Sequence, residues 1–350
     1  MTGMAARAAR GGHHGVSIED VAAAAGVSTA TVSRAVRGLP RVSEQTRQRI
    51  LDVASELGYV ASSAASGLAT GRTRTIGVLA PYVDRWFFYK ALEGVERELH
   101  EQGYNLSLFS LDSRSGERQR TFSKTMVAKH IDALLVLCMA LSIDEIQELR
   151  RLDIPLVAVG GPVEGCSSIG INDVDAAALA TRHLLDLGHR DIGVLHGQDD
   201  DEDLNFQVPE LRVNGFHEEL ARAGVEYHAE WEVRGNFTLA SGAEAFEELW
   251  NRPGPKPTAL MCASDEMAMG VILQAQRRGL RVPEDLSVIG IDDHEFSPVM
   301  GLSTVAQDPV AQARLGTRML LDELAGKAGS VHDVHADFEL KSRTSTAPLS

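Results

Sequence analysis

The sequence predicts an α/β protein carrying an all-α, helix-turn-helix head. Residues 16–62 read as three short helices, and residues 75–350 as parallel sheets covered by helices on both faces. Three observations predict this division. The run from Val16 to Tyr59 has helix caps and apolar spacing that close on one small core. Beyond Arg74, short apolar strand runs alternate with amphipathic helices. Between the two, residues 60–75 are small, polar and glycine-bearing, the composition of a linker. Residues 1–15 read as a disordered tail and residues 63–74 as a hinge segment.

In the head, Ser17 stands three residues before Asp20, the spacing of a helix N-cap with its reciprocal acidic partner. Strong helix formers follow to Ala25, and Gly26 sits where a left-handed terminal residue costs least. Ser28 caps a second helix, Thr29 to Val36, and a third starts at Ser43 and ends before Gly58. Ile50, Val53, Ala54 and Leu57 are expected to close over Val21, Ala25, Val32 and Val36. With Val32 and Val36 inward, Thr29, Ala30, Ser33, Arg34 and Arg37 point outward. Small residues near a helix start allow close approach to base edges, and arginines further along grip guanine. Thr31, Ser43 and Thr46, with the helix-start amides, suit phosphate oxygens, and Arg41 suits either purpose. The plainer alternative is a helical cap that never meets nucleic acid.

In the body, strand runs read at 75–79, 106–109, 133–137, 156–159, 168–171, 192–195, 259–262 and 286–290. Helical stretches fall at about 87–103 and near 176–187, 210–223, 239–251 and 265–278. Ligands of such sheets bind beyond the carboxyl ends of the strands.

The head resembles the lactose-repressor (LacI/GalR) family of bacterial transcription regulators. The matching residues are Asp20-Val21-Ala22, Ala25-Gly26-Val27-Ser28, Thr31-Val32-Ser33-Arg34, Arg41-Val42-Ser43, Thr46-Arg47 and Glu56-Leu57-Gly58-Tyr59. The resemblance implies that Thr29 and Ala30 choose the operator sequence and that Arg34 contacts bases. It also implies a hinge that turns helical on DNA, with Leu68 as a minor-groove wedge; Gly67 departs from the bulkier residue usual there. The body is similar to the family in Leu187-Gly188-His189-Arg190, Ala263-Ser264-Asp265-Glu266-Met267-Ala268, the run Gly279 to Val288, and Ser345-Thr346-Ala347-Pro348. This implies the fold of periplasmic sugar-binding proteins, two Rossmann-like lobes flanking a cleft. Lobe one would hold about 75–175 and 306–336, and lobe two about 176–304 and 337–348, with crossings near 174–177, 303–306 and 335–338.

By the same resemblance, Arg212, Asp292 and Gln307 are ligand contacts. Asn172, Asp173 and Asp265 sit at analogous loop starts, where Asp173 and Asp265 read equally well as helix caps. A carboxylate beside an arginine and amides supplies both acceptors and donors to adjacent hydroxyls. The run Arg85-Trp86-Phe87-Phe88 departs from the family's Asn-Pro-Phe-Phe; Trp86 would stack on a sugar face and Arg85 add a positive charge. The acidic run Gln198 to Asp203 reads as a solvated loop.

The net charge of −15 looks wrong for a DNA binder until it is divided. Residues 1–74 hold nine Arg/Lys against five Asp/Glu, net +4, leaving 25 against 44, net −19. A basic head on an acidic body orients the chain on a polyanion. Cys138, Cys166 and Cys262 lack metal-ligand spacing, and no Walker lysine motif or strand-linked G-x-G-x-x-G occurs. Asp292-Asp293-His294-Glu295 has no partner His/Cys cluster, so an enzyme, cofactor or metal site is not expected. There is no signal core and no apolar run of membrane length, so a cytoplasmic protein is expected. The expectation is a dimeric repressor, without an added tetramerisation helix, that binds a pseudo-palindromic double-stranded operator and answers to a sugar-like effector. The rival is an architectural DNA binder whose body only dimerises.

Overall fold

A computed structural model describes residues 16–36, 39–59, 72–110, 131–139, 141–197, 207–327 and 332–349. The tail, Arg37, the hinge residues Gly67 and Leu68, and the acidic run 198–203 lie outside the described residues. The chain divides into two units, Met1–Arg74 and Thr75–Ser350.

The first unit contains α1 (Ile18–Ala25), α2 (Thr29–Val36) and α3 (Glu44–Leu57). Ser17 Oγ accepts the Asp20 N–H, and the Asp20 carboxylate accepts the Ser17 N–H, so the cap is reciprocal. Gly26 ends α1 at φ 65°, a conformation that costs glycine nothing and turns the chain into α2. Val21, Val32 and Ile50 are fully buried, with Ala22, Ala25, Ala35 and Ala54 around them. Three expected core positions differ, Val53 lying at the rim rather than inside. Ala35 takes the inner place and Val36 the rim, and Leu57 is 39% exposed. The reason is length: α1 and α2 have 8 residues each and α3 has 14, so its last turn overhangs them. Tyr59 packs on the core in its stead.

The second unit contains two six-stranded sheets. Its first lobe runs β1 (Thr75–Ala80), α4 (Trp86–Gln102), β2 (Asn105–Ser110), β3 (Ala133–Leu137), α5 (Ile143–Arg151), β4 (Leu156–Val159) and β5 (Ser167–Gly170). After the second lobe, α11 (Pro309–Leu324) and β11 (Asp333–His335) return to it. The second lobe runs α6 (Asp173–Asp186), β6 (Ile192–Gly197), α7 (Val208–Arg222), β7 (Glu232–Gly235), α8 (Leu239–Asn251), β8 (Ala259–Cys262) and α9 (Asp265–Arg277). It continues with β9 (Ser287–Asp292), α10 (Ser297–Met300), β10 (Ser303–Ala306) and β12 (Glu339–Lys341).

The strand orders are β11-β5-β4-β3-β1-β2 and β12-β10-β9-β8-β6-β7, parallel except for the β10–β12 pair. Each sheet therefore reverses its winding once, between β1 and β3 and between β6 and β8, and ligands collect at such switch points. Alternate residues of one strand feed different cores. Leu135 and Leu137 join α4 and α11 in one cluster, while Leu134 and Val136 join α5 in another. Sheets covered on both faces need such near-continuous apolar strands.

The crossings between lobes fall at 171–172, 307–308 and 336–338. Two differ from expectation. Residues 174–177 lie inside α6, because Asn172 already caps that helix two residues after β5. Residues 303–306 form β10, which pairs with Ile289–Asp292. Helix α7 crosses α6 at Gly215, where a Cβ would drive into the Val174 carbonyl. That close approach presses Arg212, one turn earlier on α7, against the start of α6. No helix among the described residues is long and apolar enough to cross a membrane.

Candidate functional site

The carboxyl ends of both sheets face one cleft of about 580 Å³, counting its solvent-open mouth. The first lobe contributes Tyr82 and Arg85 from the β1–α4 connection and Trp86, Phe87 and Phe88 from the first turn of α4, with Cys138, Gly160 and Gln312 behind them. The second contributes Asp173, Arg212, Phe237, Glu266 and Asp292, and Gln307 comes from a crossing. Of the expected ligand contacts, the structure brings Trp86, Asp173, Arg212, Asp292 and Gln307 to this wall.

Two others sit elsewhere. Asn172 caps α6, its Oδ1 accepting the Asp175 N–H. Asp265 lies behind the wall, fully buried. It accepts from the His294 N–H at 2.9 Å, Ser297 Oγ at 2.6 Å and Thr304 Oγ1 at 2.7 Å. Its acceptors are consumed in tying α9 to the β9–α10 loop and β10. The cap of α9 is Ser264, so Asp265 is neither cap nor wall. Asp173 also does not cap; it is paired across to α7.

That pair is the electrostatic centre of the cleft. Arg212 is 4% exposed; its Nε donates to Asp173 Oδ1 at 2.8 Å, and its Nη1 donates to the Ala263 carbonyl and lies 3.7 Å from Asp292 Oδ1. Burial works against the guanidinium charge, but Asp173 and Asp292 outweigh it and hold the group more firmly ionised than usual. Burial pushes the Asp173 and Asp292 carboxyls above the ordinary range, with Arg212 opposing the rise in both. Asp292 and Asp293 hold φ of 132° and 57°, values side-chain-bearing residues rarely adopt. The turn aims Asp292 into the cleft and sends Asp293 to Arg343 at 2.6 Å. A hydrogen-bonded chain then runs from Asp292 Oδ1 to Gln307 Nε2 at 2.8 Å, and from Gln307 Oε1 to Gln312 Nε2 at 3.1 Å.

Arg85 brings less free charge than its type implies. Its Nη1 pairs with Asp84 at 2.8 Å and its guanidinium lies 5.1 Å from the Tyr82 ring centroid. The Trp86 indole is buried and partly committed. Its Nε1–H donates to Glu295 Oε2 and its backbone N–H to Glu266 Oε2 at 3.2 Å, both on the opposite lobe. Tyr89 Oη donates to Glu295 Oε1 at 3.1 Å, and the His294 ring centroid is 5.6 Å from that of Trp86. These contacts close one side of the cleft by joining α4 to the β9–α10 loop. The sequence reading missed Glu295 and Gln312. Glu295 stood in a run that resembled acid–base material, and Gln312 lay on a helix that no strand run announced.

In the head, Val32 and Ala35 are buried while Thr29, Ala30 and Arg34 are exposed, and Ser33 is half-buried. The hydroxyls of Ser28 and Thr31, and of Ser43 and Thr46, form two matching cap pairs at 2.9 and 2.8 Å. Arg41 is exposed at φ 71°. Arg47 has a structural task that the sequence motif concealed. Its guanidinium donates to the Ala35 and Leu39 carbonyls, each at 2.8 Å, and so ties the end of α2 to α3. Arg47→Ala is expected to lower head stability by about 1–3 kcal/mol, because charged hydrogen bonds to part-buried carbonyls are lost. Urea unfolding followed by the helical signal checks it; an unchanged midpoint would show that water replaces the guanidinium.

A profile described as "Bacterial regulatory proteins, lacI family" matches residues 17–62, and one described as "Periplasmic binding protein-like domain" matches residues 181–346. The HTH-type transcriptional repressor CytR of Escherichia coli (strain K12) is 34% identical over 338 residues, 95% of this chain and 97% of its own. The repressor PurR of Vibrio vulnificus (strain CMCP6) is 33% identical over 337 residues, 93% and 97% of the two chains. The lac repressor dimer bound to operator and the anti-inducer ONPF aligns at TM-score 0.82 and 27% identity, covering 95% of this chain and 100% of that one. The transcriptional regulator CelR in complex with cellobiose aligns at 0.70 and 28%, covering 94% and 99%. With capped helices presenting an open α2 face and two lobes closing on a charged, aromatic-walled cleft, this chain belongs to the lacI family of bacterial regulatory proteins.

Proposed function

We propose that the chain is a transcriptional repressor that binds a pseudo-palindromic operator as a dimer and is controlled by a small, hydroxyl-rich effector held between its two lobes. The observation that carries this reading is Arg212, buried between Asp173 and Asp292 at the base of a cleft walled by aromatic rings from the other lobe. A body that only dimerised would gain nothing from two buried carboxylates around a buried arginine, since such clusters cost desolvation. Paired carboxylate and guanidinium groups recognise vicinal hydroxyls, and flat rings cover a sugar face. The dimer reading is supported by the lac repressor, solved as a dimer on its operator, and by the reading geometry of helix-turn-helix heads. Thr29, Ala30 and Arg34 choose sequence, the Ser28–Thr31 and Ser43–Thr46 pairs set position on phosphates, Arg41 serves either purpose, and Arg37 and Leu68 act at the groove and hinge.

The mechanism is a population shift. An effector that bridges the lobes prefers one lobe arrangement, and that preference alters operator affinity by the ratio of its affinities for the two states. A gel-shift on the chain's own upstream DNA, titrated with sugars and nucleosides, tests it. Release or tightening by one compound is expected; indifference to every compound, with operator binding intact, would favour the architectural reading.

The same site carries a pH signature. Burial raises the Asp292 carboxyl, and hydroxyls donate to its ionised form, so effector binding favours loss of its proton. Acidification reverses this. Effector affinity is expected to fall between about pH 7.5 and pH 5.5, by up to roughly tenfold per unit below the raised value, in isothermal calorimetry. Affinity that rises on acidification would exclude an ionised Asp292 as the acceptor.

A further inference from the structure

The relay at the base of the cleft ends on an acceptor that nothing around it fills. Its direction is set by chemistry. A carboxylate only accepts, so Asp292 takes the Nε2–H of Gln307, which turns Gln307 Oε1 toward Gln312. Gln312 must then present its own Nε2–H, at 3.1 Å. Its Oε1 is left over, buried, and has no hydrogen-bond partner among the described residues. Rotating the amide would set two oxygens face to face. Gln312 is 2% exposed and lines the cleft, so bulk water does not serve this oxygen. Buried carbonyl oxygens without a donor are rare in folded proteins.

The charges of the wall point the same way. Arg212 is already matched by Asp173 at 2.8 Å and Asp292 at 3.7 Å, and Arg85 by Asp84 at 2.8 Å. Glu266, also on the wall, is not met by either guanidinium at ion-pair distance and accepts the Trp86 N–H instead. Among the described residues of this wall, the two guanidiniums are offset by Asp84, Asp173 and Asp292, and Glu266 adds a further negative charge, so a phosphorylated ligand would meet net negative charge. Arg85 Nε, buried without a hydrogen-bond partner among the described residues, is left to donate to a neutral ligand oxygen.

We propose that Gln312 is a specificity-determining residue for an uncharged, ring-bearing polyol: its Oε1 accepts a hydroxyl or N–H from that ligand, whose other hydroxyls reach Asp292 and Arg212. This rests on the reading of the cleft as the effector site. Gln312 stands on α11 of the first lobe and Asp292 on the second, so one ligand engaging both ends of the relay also holds the lobes together.

The test is calorimetry on the full chain with D-ribose, cellobiose, adenosine and cytidine, and with the phosphate monoesters of these compounds. Monodeoxy and mono-O-methyl analogues of the tightest compound follow. One analogue is expected to lose about ten- to a hundredfold in affinity, the effect of leaving one buried acceptor unpaired. Gln312→Met is expected to bind the parent as weakly as that analogue and to discriminate no longer between them. Should Q312M fail to fold, a crystal structure of the unaltered chain with the parent compound decides: the critical hydroxyl lies within hydrogen-bond distance of Gln312 Oε1, or the proposal falls. Tighter binding of a phosphate ester, no binding by any uncharged compound, or unchanged discrimination by Q312M would each overturn it. A compound that alters operator binding equally in Q312M and the unaltered chain would leave the effector cleft standing and remove only Gln312 from it.

Discussion

Arg212→Met is expected to lose effector control and much of the stability of the body at neutral pH. The side chain is 4% exposed and stands between Asp173 and Asp292, themselves 7% and 6% exposed. Methionine fills the volume but leaves two buried carboxylates without a counter-charge. Breaking a buried pair by removing one partner costs about 3–5 kcal/mol, against a typical total of about 5–15 kcal/mol. The sign of the pH dependence is fixed. Both carboxyls are already raised by burial with Arg212 opposing, and without Arg212 they rise further. A carboxyl whose folded-state value lies above its unfolded value stabilises below the unfolded value and loses that contribution as pH rises through the folded one. The deficit of the variant is therefore greatest at neutral pH and shrinks on acidification. Urea unfolding at about pH 7.5 and 5.5 reads this directly. A variant within about 0.5 kcal/mol of the unaltered chain at the higher pH would show that the carboxylates are solvated and that the cleft lacks the low polarity assigned to it.

Arg34→Ala is expected to cut operator affinity while leaving the fold intact. Val32 and Ala35 anchor α2 in the core, and Arg34, between them in sequence, is exposed. A base contact of this kind contributes about 1–3 kcal/mol per half-site, and a dimer uses two. The expected loss is thus roughly 2–6 kcal/mol, from about thirtyfold to beyond ten-thousandfold in dissociation constant, with selectivity between operator variants relaxed. Gln48→Ala, on the exposed side of α3, serves as the comparison and is expected to change affinity little. Exchanges at Thr29 and Ala30 are expected to change which operator is preferred more than how tightly DNA is held. Fluorescence anisotropy at fixed salt separates these outcomes, since loss of a phosphate contact alone would lower the salt slope by about one and weaken all sequences alike. Full operator affinity and selectivity in R34A would remove that residue from the reading face.

Much of this was legible before the structure. Ser17 with Asp20, Ser28 with Thr31 and Ser43 with Thr46 are pairs three residues apart, and their geometry follows from one helical turn. The apolar strand runs from 75–79 to 286–290 each met a strand; all but 106–109, which forms the partly exposed edge strand β2, are buried in sheets covered on both faces. Short strands such as Glu232–Gly235 and Asp333–His335 carry too few apolar residues to announce themselves, and pairing with β6 and β5 makes them strands.

The site divides along the same line. Local sequence determined the caps, the turn at Gly26 and the outward face of α2, because each depends on neighbours within a turn or two of helix. Asp292 and Arg212 were named as ligand contacts by the family resemblance, and the structure brings both to the cleft wall. What each acid does was decided only by the packed molecule. Asp173 and Asp265 stand alike in sequence, each beside a helix start after a strand. Gly215 lets α7 approach α6 so closely that Arg212 meets Asp173, whereas Asp265 is met by Ser297, Thr304 and a backbone amide and turned away from the cleft. Burial, charge pairing and the supply of donors come from residues distant in the chain, and these settle whether a carboxylate faces the cleft or ties two loops together.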